Sequence, residues 1–153
     1  MSGLQQGTSY DFKLQARNED GISDFSDVIT VLAAKIPGDL LVPTIEFSFP
    51  YYIFKWQTPV DAGGSPLKGY KVTMFDSSDV RFSLNESDCD TSTTSLETEC
   101  RIEAERLTSN PFDLVTGNTF IIKVAAINEF GDSPLATSDI MKVVSKPDAP
   151  IDL

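Results

Sequence analysis

Hydrophobic and polar residues alternate along the segment 10–17, YDFKLQAR. Tyr10, Phe12 and Leu14 fall on one side of an extended chain, whereas charged and amide side chains fall on the other. A period of two residues is typical of a β-strand with one buried and one wet face. After the turn NEDG, the segment 27–32 has the character of a return strand. The pattern therefore predicts a hairpin with one apolar side.

The skeleton of this hairpin returns about 110 residues later, in AAINEFGDSPLATSD at 125–139. The matching positions are Ala16 with Ala126, Asn18 with Asn128, Gly21 with Gly131, and Ser23 with Ser133. Phe120, Ile122, Val124 and Ala126 form the apolar set of the second copy, and its return strand lies near 139–144.

The middle of the chain has strand character at 51–56 and 68–75, and weaker strand character at 80–84 and 100–104. The segment TECRIEAERL could form one helical stretch, but its neighbours favour strand. Short strands at this spacing predict an all-β sandwich.

Charge and composition disfavour several classes of function. Twelve basic and 23 acidic residues give a net charge of -11, which repels nucleic acid and anionic lipid. The chain has no histidine, the commonest general base and zinc ligand. No apolar run has the length of a membrane helix. We therefore expect a protein that is not an enzyme, binds no cofactor and has no membrane span in this segment.

Two longer segments resemble fibronectin type III domains. YIFKWQTPVDAGGSPLKGYKV resembles strands B and C, with Trp56, the Pro59 turn and the Gly63-Gly64 loop, and LVTGNTFIIKVAAINEFGDSP resembles strands F and G. Through CRIEAERL and PFDLVTG, the chain is also similar to cysteine-containing repeats of large protist surface proteins. The resemblance implies an immunoglobulin-like, fibronectin type III β-sandwich in a tandem repeat.

The resemblance divides the chain into three parts. Residues 1–36 resemble the last two strands of a preceding repeat, residues 37–146 a complete domain, and residues 147–153 the first strand of a following repeat. A lone hairpin is at best marginally stable in water, so we expect a neighbour to cover its apolar side. The neighbour is either an adjacent repeat of one chain or another copy in a head-to-tail homopolymer.

Contacts between neighbouring units are expected on both the hairpin and the complete domain. The predicted interface residues are Tyr10, Phe12, Leu14, Ile121, Ile127, Ile151 and Leu153. Ile121 and Ile127, with Phe75 and Ala125, are predicted on the outer side of the sheet that contains strands C and F. Such a patch marks an interface, although scattered apolar surface residues are also normal.

Fibronectin type III domains usually carry a tyrosine before strand F, whose hydroxyl holds the preceding turn. Tyr10 after Leu4 fits this pattern, whereas Phe120 after Leu114 lacks the hydroxyl. We therefore expect packing alone to hold the second turn.

Cys89 and Cys100 enclose a polar loop of ten residues, DTSTTSLETE. Their even number and the absence of a CxxC motif favour a disulfide over two reduced thiols. Asn85-Glu86-Ser87 is an N-glycosylation sequon, which predicts an N-linked glycan on Asn85. Both features predict an extracellular or cell-surface location.

Other motifs are better explained by structure than by chemistry. Tyr52, Phe54 and Trp56 alternate along one strand and are predicted in the core. Acidic residues cluster in the segment 76–99 without an EF-hand pattern, so calcium binding there stays open. Gly63-Gly64-Ser65 lacks the residues of a phosphate loop and is predicted to be a turn.

The predicted function is that of a structural repeat unit in an extracellular fibre or surface array. Its units would assemble head to tail by completing one another's sandwiches. An adhesion or receptor-type module that binds a protein ligand is the alternative.

Overall fold

A computed structural model describes residues 3–84, 89 and 96–144 of the 153-residue chain. The predicted glycan site Asn85 and the predicted interface residues Ile151 and Leu153 lie outside the described residues. The regular secondary structure of the described part consists of β-strands and one short helix. None of its helices has the length and apolar character to cross a membrane.

The first hairpin forms a separate two-stranded sheet from β1 (Ser9–Phe12) and β2 (Ile29–Leu32). Tyr10 is paired with Val31, and Phe12 is paired with Ile29. Cross-strand partners point to the same face, so these apolar side chains share one side of the hairpin. On the opposite side, the Thr30 hydroxyl donates a hydrogen bond to Asp11 over 2.6 Å.

One sheet of the sandwich has three antiparallel strands, β3 (Thr44–Ser48), β4 (Tyr51–Lys55) and β7 (Glu99–Glu103), in the order β3-β4-β7. β3 was not among the strands predicted from the sequence, although Ile45 and Phe47 alternate there with polar residues. The ambiguous segment TECRIEAERL contains both predicted types of structure, because β7 is followed by the short helix α1 (Ala104–Leu107).

The other sheet is built on the long strand β8 (Thr119–Asn128), which pairs with β5 (Gly69–Asp76). β6 (Arg81–Ser83) pairs with the far edge of β5. The return strand consists of three short pieces on β8, namely β9 (Gly131–Asp132), β10 (Ala136–Thr137) and β11 (Met141–Lys142). Serine hydroxyls fill two gaps in this ladder, since Ser133 and Ser138 accept from the backbone N–H groups of Ala126 and Ile122.

Large aromatic side chains fill the space between the two sheets. Tyr52, Phe54 and Trp56 are buried, which confirms their predicted place in the core. The ring of Phe120 lies edge-on to Tyr52, with centroids 5.3 Å apart, and Trp56 packs against Tyr70 at 5.6 Å. Such aromatic pairs add stability beyond the area that they bury.

Cys89 and Cys100 form a disulfide, as predicted, with their Cα atoms 5.3 Å apart. Both half-cystines are buried, and Cys100 lies on β7 next to the core. The bond therefore ties the segment that follows β6 to the three-stranded sheet.

Candidate functional site: the junction between hairpin and sandwich

The apolar side of the first hairpin is open. Phe12, Leu14, Ile29 and Val31 are exposed by 45%, 73%, 60% and 47%. The corresponding residues of β8, Ile122 and Val124, are completely buried under the three-stranded sheet. The chain thus holds the same strand pattern twice, once covered and once uncovered.

In the part of the chain that the structure describes, the turn before β1 and the linker at 33–38 contact the sandwich. We call this contact the junction; it comprises Gln6, Gly7, residues 33–38, residues 61–64 and Asn128. Asp61 lies at its centre. The Gln6 side-chain amide donates to Asp61 Oδ1 over 2.5 Å, and Lys35 Nζ lies 2.9 Å from Asp61 Oδ2. The backbone N–H of Gly63 also donates to Asp61 Oδ1, over 2.8 Å.

These donors change the acidity of the central carboxyl group. They lower the pKa of Asp61 from 3.8 to about 2, with the Lys35 ammonium as the largest cause, followed by Gly63 and Gln6. Hydrogen bonds to the ionised form favour that form. The closed junction therefore favours a charged Asp61.

Backbone hydrogen bonds fix the linker on the sandwich. The Lys35 N–H donates to the Gly63 carbonyl, and the Gly38 N–H donates to the Asp61 carbonyl, both over 2.8 Å. The buried Asn128 side chain donates from Nδ2 to the carbonyls of Lys35, over 2.7 Å, and Ala62, over 3.0 Å. Asn128 thus connects strand β8, the loop and the linker.

Two adjacent glycines allow this close approach. Gly63 and Gly64 have φ angles of +81° and +78°, which L side chains rarely adopt. A Cβ atom on Gly63 would lie 2.2 Å from the Lys35 carbonyl oxygen, and one on Gly64 would lie 2.6 Å from the Gly7 backbone nitrogen. The predicted Gly63-Gly64 turn is therefore also a contact surface, and any side chain there would push the two parts apart.

The turn before each long strand is held by a polar side chain. In the first turn the Gln5 N–H donates to the Tyr10 hydroxyl over 2.8 Å, as the tyrosine pattern implies. In the second turn the corresponding N–H of Val115 donates to Asn118 Oδ1 over 2.8 Å. The expectation that packing alone holds the second turn is therefore wrong, because the amide of Asn118 replaces the missing hydroxyl.

The outer face of the larger sheet is less apolar than its sequence suggests. Ile121 and Ile127 are half-buried, and Ala125 is completely covered. Lys123 Nζ lies 4.1 Å from the centre of the Phe75 ring, which is a cation–π contact. A groove of about 190 Å³ crosses this face, lined in part by Lys71, Phe75 and Leu135. The role of Ile121 and Ile127 in assembly stays a prediction.

The predicted interface residues do not converge on one site in this structure. Tyr10, Phe12 and Leu14 lie on the hairpin, whereas Ile121 and Ile127 lie on β8 of the sandwich. Sequence reasoning missed Asp61 and Asn128, although Asn128 was recognised as part of the repeated skeleton. No group of three or more potential metal-ligating residues lies together in the ranges 3–84, 89 and 96–144.

Comparisons with known proteins agree with this architecture. No family model matches the sequence. The mouse protein named fibronectin type-III domain-containing protein 3A is 28% identical over 153 residues, which are 98% of this chain and 12% of that protein. The chain therefore spans about one eighth of that relative.

Solved structures show the same fold at low sequence identity. A crystal structure of titin domains matches 92% of this chain and 43% of the titin chain, with a TM-score of 0.59 and 19% identity. A segment of two fibronectin type III domains from chicken tenascin matches 92% of this chain and 67% of that segment, with a TM-score of 0.50 and 15% identity. The strand pattern, the two-sheet core and these likenesses together establish an all-β, immunoglobulin-like sandwich of the fibronectin type III fold.

Proposed function

We propose that this chain is a non-enzymatic structural segment of an extracellular fibre or surface array of fibronectin type III-like repeats. In this array, the hairpin completes the sandwich of one unit and the junction fixes the next unit beside it. The predicted boundaries at residues 36 and 146 mark the units.

The observation that carries the proposal is the uncovered apolar side of the hairpin. Covering a Leu, Ile, Val or Phe side chain stabilises a protein by about 1.5–3 kcal/mol. Phe12, Leu14, Ile29 and Val31 together therefore offer a large free energy to any sheet that covers them. The cover of β8 supports a completing sheet with aromatic residues at the positions of Tyr52 and Phe54.

The junction supports the second half of the proposal. It combines an ion pair with side-chain and backbone hydrogen bonds. At its centre the backbones of Gly7 and Gly64 lie close together, because neither residue has a side chain. A linker held in this way fixes the orientation of one unit relative to the next, whereas a free linker would leave the units to move independently. A fixed angle between units is what a fibre or an ordered array needs.

Grafting the absent part of a sandwich onto the hairpin tests the proposal. Residues 37–113 of this chain are placed directly before Leu4, since Leu114 follows residue 113 and matches Leu4. We expect the amides of β1 and β2 to gain protection from hydrogen exchange and the binding of a hydrophobic dye to fall. The matched control carries Phe12→Asp, which puts a charge on the covered side.

The proposal is wrong if the amides of the grafted hairpin exchange as fast as in the 153-residue chain and dye binding persists. A Phe12→Asp control that is equally protected would contradict it as well, because the cover would then not depend on the apolar side.

Sedimentation decides between the two routes of assembly. A mass that rises with concentration, and falls to one chain in the Phe12→Asp variant, supports a head-to-tail homopolymer. A single chain at all concentrations supports completion by an adjacent repeat of the same polypeptide.

An adhesion or receptor-type module is the alternative, and the groove on the outer face of the larger sheet favours it. Lys71 and Arg81 line this groove together with Asp132, whose Oδ2 lies 3.4 Å from Lys71 Nζ. Lys123 lies over the Phe75 ring on the same face, in a chain whose net charge is -11. Beads coated with the chain should then bind the surface of the source cells, and a Lys71→Glu, Lys123→Glu variant should lose this binding while its hairpin is unchanged.

A further inference from the structure

We propose that the exposed turn at Val115–Gly117 is a docking surface for the loop between the second and third strands of a following module, a loop with the Asp-Ala-Gly-Gly pattern of residues 61–64. The inference rests on the proposed function and names the contact that would fix a following module on the sandwich of this chain. It is drawn from the first turn, which already holds such a loop.

The two turns are built from the same backbone hydrogen bonds. In the first, Gly7 donates to the Ala33 carbonyl and Ala33 donates to the Thr8 carbonyl, over 2.8 and 2.9 Å. In the second, Gly117 donates to the Val143 carbonyl and Val143 donates to the Asn118 carbonyl, over 2.9 and 2.8 Å. Each residue of the second turn lies 110 positions after its counterpart.

The two glycines have similar conformations but different surroundings. Gly7 has a φ angle of +77°, and a Cβ there would lie 3.7 Å from the carbonyl oxygen of Gly64. Gly117 has a φ angle of +95°, and no described residue lies within 4 Å of the corresponding Cβ position. Val115 and Thr116 are also exposed. The second turn thus offers to a neighbour the surface that the first turn uses.

The chemistry of the second turn suits a loop with a carboxylate and two glycines. Thr116 occupies the position of Gln6, and its hydroxyl can donate to a carboxylate as the Gln6 amide does to Asp61. A loop without the glycine pair would carry a side chain that the first junction has no room for.

A tandem protein tests the inference. Residues 1–146 are followed directly by a second copy of residues 37–153, so that Pro37 of the added copy takes the place of Pro147. Nuclear magnetic resonance relaxation then measures the rotational correlation time of each module. We expect a common correlation time for the original and the added module, with shifted amide signals of Thr116 and Gly117 relative to the 153-residue chain.

Two variants of the added copy make the test specific. Gly64→Val should abolish the common correlation time, and Asp61→Asn, which leaves the loop backbone unchanged, should reduce the amide shifts of Thr116 and Gly117. The same Gly64→Val change in the original copy is the matched control, because it should release the hairpin and leave the second junction intact. Thr116→Gln, which copies the first turn, should retain the common correlation time.

Independent tumbling of two folded modules, with unshifted Thr116 and Gly117 signals, would overturn the inference. So would joint tumbling that survives Gly64→Val in the added copy. Neither result bears on the completion of the hairpin by a neighbouring sheet, which fails instead when the grafted hairpin stays unprotected.

Discussion

Asn128 connects three parts of the chain through one side chain. Its amide nitrogen donates to the Lys35 and Ala62 carbonyls, and its amide oxygen accepts from the Phe130 N–H over 2.8 Å. The corresponding residue of the first hairpin, Asn18, accepts only from the Asp20 and Gly21 N–H groups of its own turn, among the contacts of the described residues. Both asparagines therefore accept hydrogen bonds within their own turns, but Asn128 also donates to the linker and the loop.

We predict that Asn128→Ala lowers the free energy of unfolding of the sandwich by about 1–3 kcal/mol, because two carbonyls lose a buried donor. It should also speed hydrogen exchange at the Lys35 amide. Asn18→Ala is the control and should leave that amide protected. Urea denaturation and exchange rates measure both effects, and equal losses in the two variants would refute the role of Asn128 in the junction.

The closed junction should open in acid. The pKa of Asp61 is lower in the closed junction than its ordinary 3.8, so closure favours the ionised form. Its contribution is complete above pH 3.8 and declines as the pH falls through about 2. We expect hairpin and sandwich to tumble together above this range and separately below it, as measured by relaxation.

The matched variants for this titration are Asp61→Asn and Asp39→Asn. Asp61→Asn should loosen the junction at neutral pH and remove the transition, whereas Asp39→Asn, at an exposed position of the linker, should leave it in place. If the acid-induced opening persists in the Asp61→Asn variant, another titrating group causes it.

At the scale of single residues, sequence reasoning succeeded where a residue acts within its own strand or turn. The alternation of Tyr52, Phe54 and Trp56 predicted their burial, and Tyr10 held the expected turn. It did not predict Asp61, because the partner Gln6 lies 55 positions away and neither residue type indicates the other. Asn118 was missed because one amide can replace a hydroxyl at a different position.

Among the elements, the first hairpin and strand β8 have the same alternation of apolar residues but contribute differently to the free energy of unfolding. Phe12 and Ile122 are corresponding residues, but only Ile122 is buried. Ile122→Ala should therefore lower the free energy of unfolding by about 2–5 kcal/mol. Phe12→Ala should change it by less than about 0.5 kcal/mol, as for an exposed site.

Thermal and urea unfolding of both variants check this contrast. In the grafted protein with a completed first sandwich, Phe12→Ala should become as costly as a core substitution. A large loss for Phe12→Ala in the 153-residue chain itself would show that its hairpin is already covered.

The disulfide between Cys89 and Cys100 closes a short loop, since the two residues are 11 positions apart. In the chain-entropy model, such a bond stabilises the folded state by about 3 kcal/mol. We expect a reducing agent, or the double change Cys89→Ala and Cys100→Ala, to lower the free energy of unfolding by about this amount. The double variant should no longer respond to reductant.

The larger strands could be predicted from the sequence because their alternation is long. β4, β5 and β8 lie where the pattern placed them. β3 was missed although Ile45 and Phe47 alternate with polar residues, because the run is short and lies between Pro43 and Pro50. The pattern of 98–107 was ambiguous because a strand and one turn of helix follow each other there. Short segments depend on tertiary packing, which local sequence does not encode.

For the whole molecule, the disulfide and the sequon at Asn85 predict passage through an oxidising secretory route. We expect the chain secreted from eukaryotic cells to lose the mass of an N-linked glycan on treatment with a peptide N-glycosidase. Asn85→Gln should remove that change and leave the disulfide intact. An unmodified mass in the secreted protein would contradict the predicted glycan.

An all-β sandwich was predictable for the whole molecule because short alternating strands follow one another at sandwich spacing, and the resemblance of two longer segments indicated the fibronectin type III arrangement. The arrangement of hairpin and sandwich was not predictable, since it depends on contacts among Gln6, Lys35 and Asp61. These residues lie far apart in the sequence and belong to no periodic pattern.

Because of the glycine pair at 63 and 64, a small change in sequence would alter the stiffness of the junction. One added methyl group would separate the two backbones, so a single substitution would turn a rigid connection into a hinge. In a long series of such modules, the residues at these two positions would then show where the polymer bends.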